Sequence, residues 1–502
     1  MAHLPAEILA HIVSYLAAEC NSHDSDDSDD SDDSDDSDDS DDSDDNSDRL
    51  ALAPYAAVSR GWQQRIESVT FAHIILTPTR LASPLAAQAL TPDRVRFVRS
   101  IRLHVLLPPY DEHARARRED DADRAANDGV FTDVVRRLFA LLADDDVDHC
   151  PKIRLSLTAS CVSDTEDIDA RRSQWSRYGM DIDIFEARYE SSYLDLRLAA
   201  EAKALPQLHC INHFRVSPTQ SYGRLYALAG RHFAPQAVCL MASRMLGLER
   251  IYWNLSDNEK RDIALRKRLR ADFAHALPTL PSSLRRFDLD YSRAVPLDHS
   301  FQTPSILDHD DDDDKLSLAL YKLSQRLASF TLIADIGPEA IWPVEHAQDD
   351  EPLWPRMQDC FIIPGAIAPS GRWLYLLSDS NDSDDDGRDT LSDDVDPLAA
   401  PGDETQRYLR DDPDPDVVRA LLLATAQAVR RMPALRYLSL ALRGVDRGLL
   451  EVEYSTKAGK AELTVYSLPL LQLDEEVVRL WSEAAEEYAG AESGLAVVVS
   501  EP

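Results

Sequence analysis

The chain lacks the short motifs that mark the common enzyme classes. No GxxxxGK(S/T) phosphate loop, GxSxG nucleophile elbow or HExxH zinc helix occurs in its 502 residues. Fourteen histidines allow many Ser/His/Asp sets to be assembled, but no spacing selects one. CxxC pairs are absent as well. The six cysteines (Cys20, Cys150, Cys161, Cys210, Cys239 and Cys360) stand far apart, which in so long a chain predicts free thiols in a reducing compartment. No apolar run reaches the ~18 residues a membrane span needs, and the first residues lack the basic segment of a secretory leader. These absences predict a soluble, non-enzymatic protein with no metal, cofactor or membrane partner, placed in the cytoplasm, the nucleus or both.

Basic residues are also few, 53 against 90 acidic ones, for a net charge of −37. That imbalance is local. Asp24–Asp48 holds 16 aspartates, Asp308–Asp314 holds 6 and Asp379–Asp396 holds 9; without these runs, and without Arg388 inside the third, 59 acidic residues face 52 basic ones. The foldable remainder is therefore close to neutral, with three acidic insertions. The sign of the charge argues against nucleic acid as a partner. The runs lack the Asp-x-Asp-x-Asp-Gly…Glu spacing of a calcium loop. Asp24–Asp48 is almost pure Ser-Asp-Asp repeat, which predicts an extended, unpacked segment with a root-mean-square span of about 25–30 Å.

The apolar pattern supplies the rest of the architecture. Leu4–Ala18 reads as a helix with Pro5 in its first turn and Ile8, Leu9, Ile12, Val13 and Leu16 on one face. Taken alone it reads as an ordinary core helix. Beyond the acidic run, Leu50–Val69 reads as helical: Pro54 opens it, and Val58, Trp62, Ile66 and Val69 recur every three or four residues. A short strand-like exit follows at Phe71–Leu76.

From Val95 onward strand-like segments recur at Phe97–Leu107, Lys152–Ser160, Leu208–Val216, Leu248–Leu255, Leu284–Tyr291, Leu327–Ile336, Gln358–Ile363 and Leu435–Leu442. Helical stretches separate them at Asp128–Leu142, Ser191–Ala204, Ser256–Leu277, Leu316–Arg326 and Val417–Met432. One strand per helix predicts an irregular leucine-rich-repeat-like α/β solenoid, with a three-layer α/β domain as its rival. The alternating residues on both sides of Lys457–Lys460 predict a β-hairpin, and Asp474–Gly490 a helix, together closing the end of the array from 448 onward.

Two side-chain groups invite a site reading. His209, Cys210 and His213 lack a fourth ligand at zinc spacing, which favours a structural role. The basic stretch Arg261–Leu277 carries an apolar stripe of Ile263, Leu269, Phe273 and Leu277, which would leave most of its cations on the solvated face. Nuclear import, or contact with the chain's own acidic runs, is the alternative.

The residues at the N-terminus carry a resemblance. Leu4-Pro5, Glu7-Ile8-Leu9, Ile12 and Leu16, then Leu52, Val58-Ser59-Arg60, Trp62 and Ile66, resemble an F-box once the acidic run is set aside. Leu52–Leu81, Pro352–Leu376 and Asp414–Leu440 resemble, in the same order, segments of a large group of filamentous-fungal F-box proteins with long C-terminal regions. Two departures stand out: the acidic run splits the motif between its first and second helices, and Gly61 lowers helix propensity by about 1 kcal/mol relative to Ala. The resemblance implies a small three-helix module over residues 1–76 that tethers a protein substrate, held by residues 77–502, to a Skp-family adaptor of a cullin–RING ubiquitin ligase. It implies adaptor contact through Leu4, Pro5, Ile8, Leu9, Ile12, Leu16, Val58 and Trp62, and no covalent step. The alternative is a scaffold whose split motif no longer docks.

Overall fold

The computed structural model describes residues 52–115, 117–143, 151–165, 188–189, 191–197, 205–217, 231–307, 313–343, 353–377, 400–404, 410–443, 449–457, 460–468, 473–489 and 496–500. The first expected helix and the Ser-Asp-Asp run lie outside these residues.

The second helical stretch is broken rather than continuous. A 3-10 turn over Ala53–Ala57 is followed by helix α1 (Arg60–Thr70). Between them Ser59 adopts extended backbone and its hydroxyl accepts from the Trp62 N–H at 3.4 Å. The expectation that Val58 shares a helix face with Trp62 is thereby corrected, because a serine N-cap satisfies an otherwise unpaired N–H only by leaving the helical conformation. Leu52 and Ile66 are buried together, with Trp62 and Val69 against them, as a cluster separate from the main core.

Twelve strands form the main sheet: β1 (His73–Leu76), β2 (Ser100–Leu107), β3 (Ile153–Cys161), β5 (Ile211–Val216), β7 (Arg250–Ser256), β8 (Arg286–Ser292), β9 (Ser329–Ala334), β10 (Asp359–Pro364), β13 (Tyr437–Arg443), β14 (Leu449–Lys457), β15 (Lys460–Leu468) and β16 (Ala496–Ser500), adjacent in that order. Every pairing from β1 to β13 is parallel, β13–β14 and β14–β15 are antiparallel, and β15–β16 is parallel again. Two small sheets pair β4 (Tyr193–Leu194) with β6 (His232–Phe233), and β11 (Tyr375–Leu377) with β12 (Arg410–Pro413). Strand order never reverses in the main sheet, so a doubly wound sheet with its central crevice is excluded.

The strands alternate. In β2, Ile101, Leu103, Val105 and Leu107 are buried while the residues between them are half-exposed, and β7, β8, β9 and β10 repeat the pattern. Parallel sheets covered on both faces read as unbroken apolar runs; alternation means one covered face and one wetter one. Crossovers of one hand through a sheet in chain order put their helices on a single side, which matches this burial.

Helices α2 (Asp121–Leu142), α3 (Pro235–Ser243), α4 (Ile263–Ala276), α5 (Lys315–Ser324), α6 (Pro415–Val429) and α7 (Glu475–Ala489) occupy the connections. Helix α4 packs between α3 and α5, and α6 packs on α7. Asp120 and Asp123 close α2 with a capping box. The centre of the core is aromatic: Trp253 meets Phe214, Phe287 and the α4 residue Phe273 at ring-centroid distances of 6.1, 5.6 and 6.5 Å.

All eight expected strands are present, as are the hairpin and the helix after it. The helix expected at Ser191–Ala204 is not formed over its described part. Asp128 accepts from the Asp195 N–H and Thr132 from the Arg197 N–H, both at 2.9 Å, which pins this segment to α2 in extended form. The closing unit also gains a strand, since β16 follows α7 and pairs with β15. Among the described residues no helix is long and apolar enough to cross a membrane.

Candidate functional site

Parallel strands deliver their loops to one edge of a sheet, and side chains gather there. Two buried charge networks sit at the carboxyl edge. In the larger one, Asp257 follows β7, Arg293 follows β8 and Asp335 follows β9. Helix α4 lays Arg266 and Arg270, one turn apart, into the space between them. Arg266 grips Asp257 through Nε and Nη2 at 3.0 and 2.6 Å and reaches Asp335 at 3.1 Å. Arg270 donates to Asp257 at 2.7 Å, to Asp314 at 2.8 Å and to the Asp335 carbonyl at 2.9 Å. Arg293 adds a 2.8 Å bond to Asp335. Burial opposes the Asp257 charge, but the two guanidiniums hold its carboxyl below the usual range. Burial also opposes the arginine charges, yet the carboxylates hold Arg266 and Arg270 above theirs.

Two of the five cations of Arg261–Leu277 depart from the solvated face expected of the stretch, while Arg261, Lys267 and Arg268 keep their exposure in full or in part. Arg266 and Arg270 are 2% and 3% exposed. The acidic contact is instead met in part, because Asp314 is the last aspartate of the Asp308–Asp314 run and also N-caps α5. With each carboxylate already sharing guanidinium hydrogen bonds, the network acts as a clamp tying three strand ends to two helices.

The second network lies at the same edge beyond β2 and β3. Arg231 donates twice to Asp164, each at 3.0 Å, and to Glu119 at 2.7 Å, while its guanidinium lies 4.0 Å from the Tyr189 ring centre. Tyr110 donates to Asp164 at 2.5 Å. Beside Arg231, burial and that positive charge depress His232 to about 4.

On the wetter face the register places charge in rows. His73, Ser100, Arg154, His213, Arg250 and Arg286 are successive neighbours across β1, β2, β3, β5, β7 and β8. Arg154, Arg250 and Arg286 are exposed. Among the described residues the ion pairs along this edge are Lys152–Glu249 and Arg286–Asp288, and none involves Arg154 or Arg250. Further along, the same face turns acidic, with Asp359 on β10, Glu453 on β14 and Glu462 on β15. The sequence reading missed this row; its signal was an arginine at or near the start of successive strand segments.

Of the residues expected to meet an adaptor, Leu4, Pro5, Ile8, Leu9, Ile12 and Leu16 lie outside the described residues. Val58 is 63% exposed in the break before α1, beside Tyr55 at 47%. Trp62 is half-buried, its ring centre 6.5 Å from that of Tyr55. His213 sits in the arginine row, while His209 and Cys210 precede β5 and Cys210 is buried. Among the described residues no group of three or more His, Cys, Asp or Glu is placed to hold a metal. The described cysteines, Cys161, Cys210, Cys239 and Cys360, form no disulfide and are buried. An open groove of about 650 Å³ between Pro78–Ala82 and α2 is lined largely by small apolar residues such as Ala82, Ala126 and Gly129.

No curated protein and no solved structure matches the chain. A protein-family model described as a family of unknown function (DUF6546) matches residues 405–501, so the segment holding β12 to β16 is similar to that family.

Proposed function

We propose that the protein is a non-catalytic substrate receptor of the F-box type. Its N-terminal helices dock on a Skp-family adaptor of a cullin–RING ligase, and the strand-and-helix region holds a protein substrate. The observation that carries this reading is the exposed apolar pair Tyr55 and Val58, placed beside Trp62 on a small helical cluster with its own buried centre. Large exposed apolar groups rimmed by polar residues favour partner contact. If buried by an adaptor, each such side chain contributes on the order of 1.5–3 kcal/mol.

The remainder is read as an irregular leucine-rich-repeat-like solenoid. Support comes from parallel strands in chain order, helices serving one face, and a closing antiparallel unit. Such arrays present their uncovered face to partners.

The test is co-purification of the full chain with a fungal Skp adaptor. Retention by the wild type, lost on Leu9→Asp and on Val58→Asp, is the expected result. A wild-type chain that is not retained overturns the reading and favours a scaffold that binds its partner without a ligase.

A further inference from the structure

The arginine row has a cost built into its register. Arg250 stands directly opposite Arg286 on the adjacent parallel strand. Like charges directly opposed across strands destabilise a sheet. Arg286 is answered by Asp288 at 2.9 Å on its own strand, whereas Arg154 and Arg250 have no such partner among the described residues. An anion laid along the row relieves that repulsion, and the row's dimensions indicate which anion fits. Three steps of roughly 4.8 Å carry the arginines about 14 Å from β3 to β8, which suits a chain of closely spaced negative charges. The basic stretch of this face ends at Asp288 and Asp290 immediately beyond and at Asp359 two strands on.

Helix α1 ends at Thr70 and delivers the chain to His73, the first member of the row. The 51 residues before Leu52 contain Asp24–Asp48 with its 16 aspartates. The span of about 25–30 Å expected for a flexible segment of that size is enough to follow the roughly 14 Å from Arg154 to Arg286.

We propose that the Ser-Asp-Asp segment of this chain is the occupant of the Arg154–Arg250–Arg286 row. Docked there, it covers the basic half of the wetter face and shields it from acidic partners. Tethering supplies an effective concentration of about 1 mM, so weak individual contacts suffice. This inference is independent of the adaptor reading.

The test uses a fluorescent (Ser-Asp-Asp)8 peptide as probe. Anisotropy is measured at low salt on the full chain and on a chain lacking residues 24–48. The shortened chain is expected to bind the peptide about 30-fold more tightly than the full chain, which its own tethered segment blocks. Arg250→Gln with Arg286→Gln in the shortened chain abolishes most of that binding, and 0.5 M salt does the same. Thermal melts confirm that the double variant folds; should it not, Arg154→Gln alone serves and is expected to weaken binding several-fold. Equal binding by the full and shortened chains places the site with an external acidic partner and overturns the proposal. So does a shortened chain that fails to bind, or binding that the arginine substitutions leave unchanged.

Discussion

Arg270 joins two segments that are far apart in the chain: its Nη1 lies 2.7 Å from Asp257 at the end of β7, and its Nη2 lies 2.8 Å from Asp314 at the cap of α5. One guanidinium thus fixes a strand end, a helix and the close of an acidic run. The arrangement places most of its stabilising effect on keeping every partner present. Breaking a buried pair leaves an uncompensated charge, whereas well-packed apolar replacements of the whole set can be neutral.

Asp257→Ala therefore costs about 3–5 kcal/mol, because Arg266 loses its bidentate partner and Arg270 one of its three acceptors. Urea melts measure it. A loss below about 1 kcal/mol shows that water or another carboxylate replaces Asp257.

The depressed pKa of His232 gives stability a pH dependence. Its folded value of about 4 lies below the usual 6.5, so the folded state favours the neutral ring. Stability from this group is complete above pH 6.5 and declines as pH falls toward 4, where the unfolded chain binds the proton first. The full shift corresponds to at most about 3 kcal/mol, an upper bound for a residue that is half-buried overall. Melts at pH 7.5 and 5.0 on wild type and His232→Phe measure it. The variant is expected to lose that part of the slope, and an unchanged slope assigns the effect elsewhere.

Trp253 anchors the aromatic centre and is 1% exposed. Trp253→Ala is expected to cost about 3–5 kcal/mol, whereas Tyr252→Ala on the opposite face, 40% exposed, changes stability by under about 1 kcal/mol. Similar losses at both positions contradict the one-sided burial of β7.

Val58 and Trp62 should separate docking from folding. Val58→Asp leaves the melting temperature within about 1 °C, since the side chain is 63% exposed, but removes adaptor retention. Trp62→Ala lowers stability by about 1–3 kcal/mol as it opens the Leu52–Ile66 cluster. Parallel losses of stability at both positions argue that the patch is internal packing.

Strand identity was legible because period-2 alternation survives wherever one face is buried, as in Arg250–Ser256 and Arg286–Ser292. The sheet's direction was not, since alternation says nothing about parallel pairing; that followed from the helices between strands. Ser191–Ala204 misled because its apolar spacing outweighed contacts invisible in sequence, the Asp128 and Thr132 side chains that hold Asp195 and Arg197 extended. Arg266 and Arg270 misled for a related reason. Cations at helical spacing read as a wet face until strand-end carboxylates far along the chain are brought to meet them. The final strand at Ala496–Ser500 is short and lies past the helix expected to end the array, so no local signal tied it to β15.

A sheet whose strands follow chain order has a property that reversed sheets lack. Each strand bonds only to the one before and the one after, so duplicating or deleting a strand–helix unit shifts no other register. The wetter face is then a ruler graduated in steps of about 4.8 Å. Its length is set by the number of units, and a lineage can retune the size of what it grips by adding or removing one.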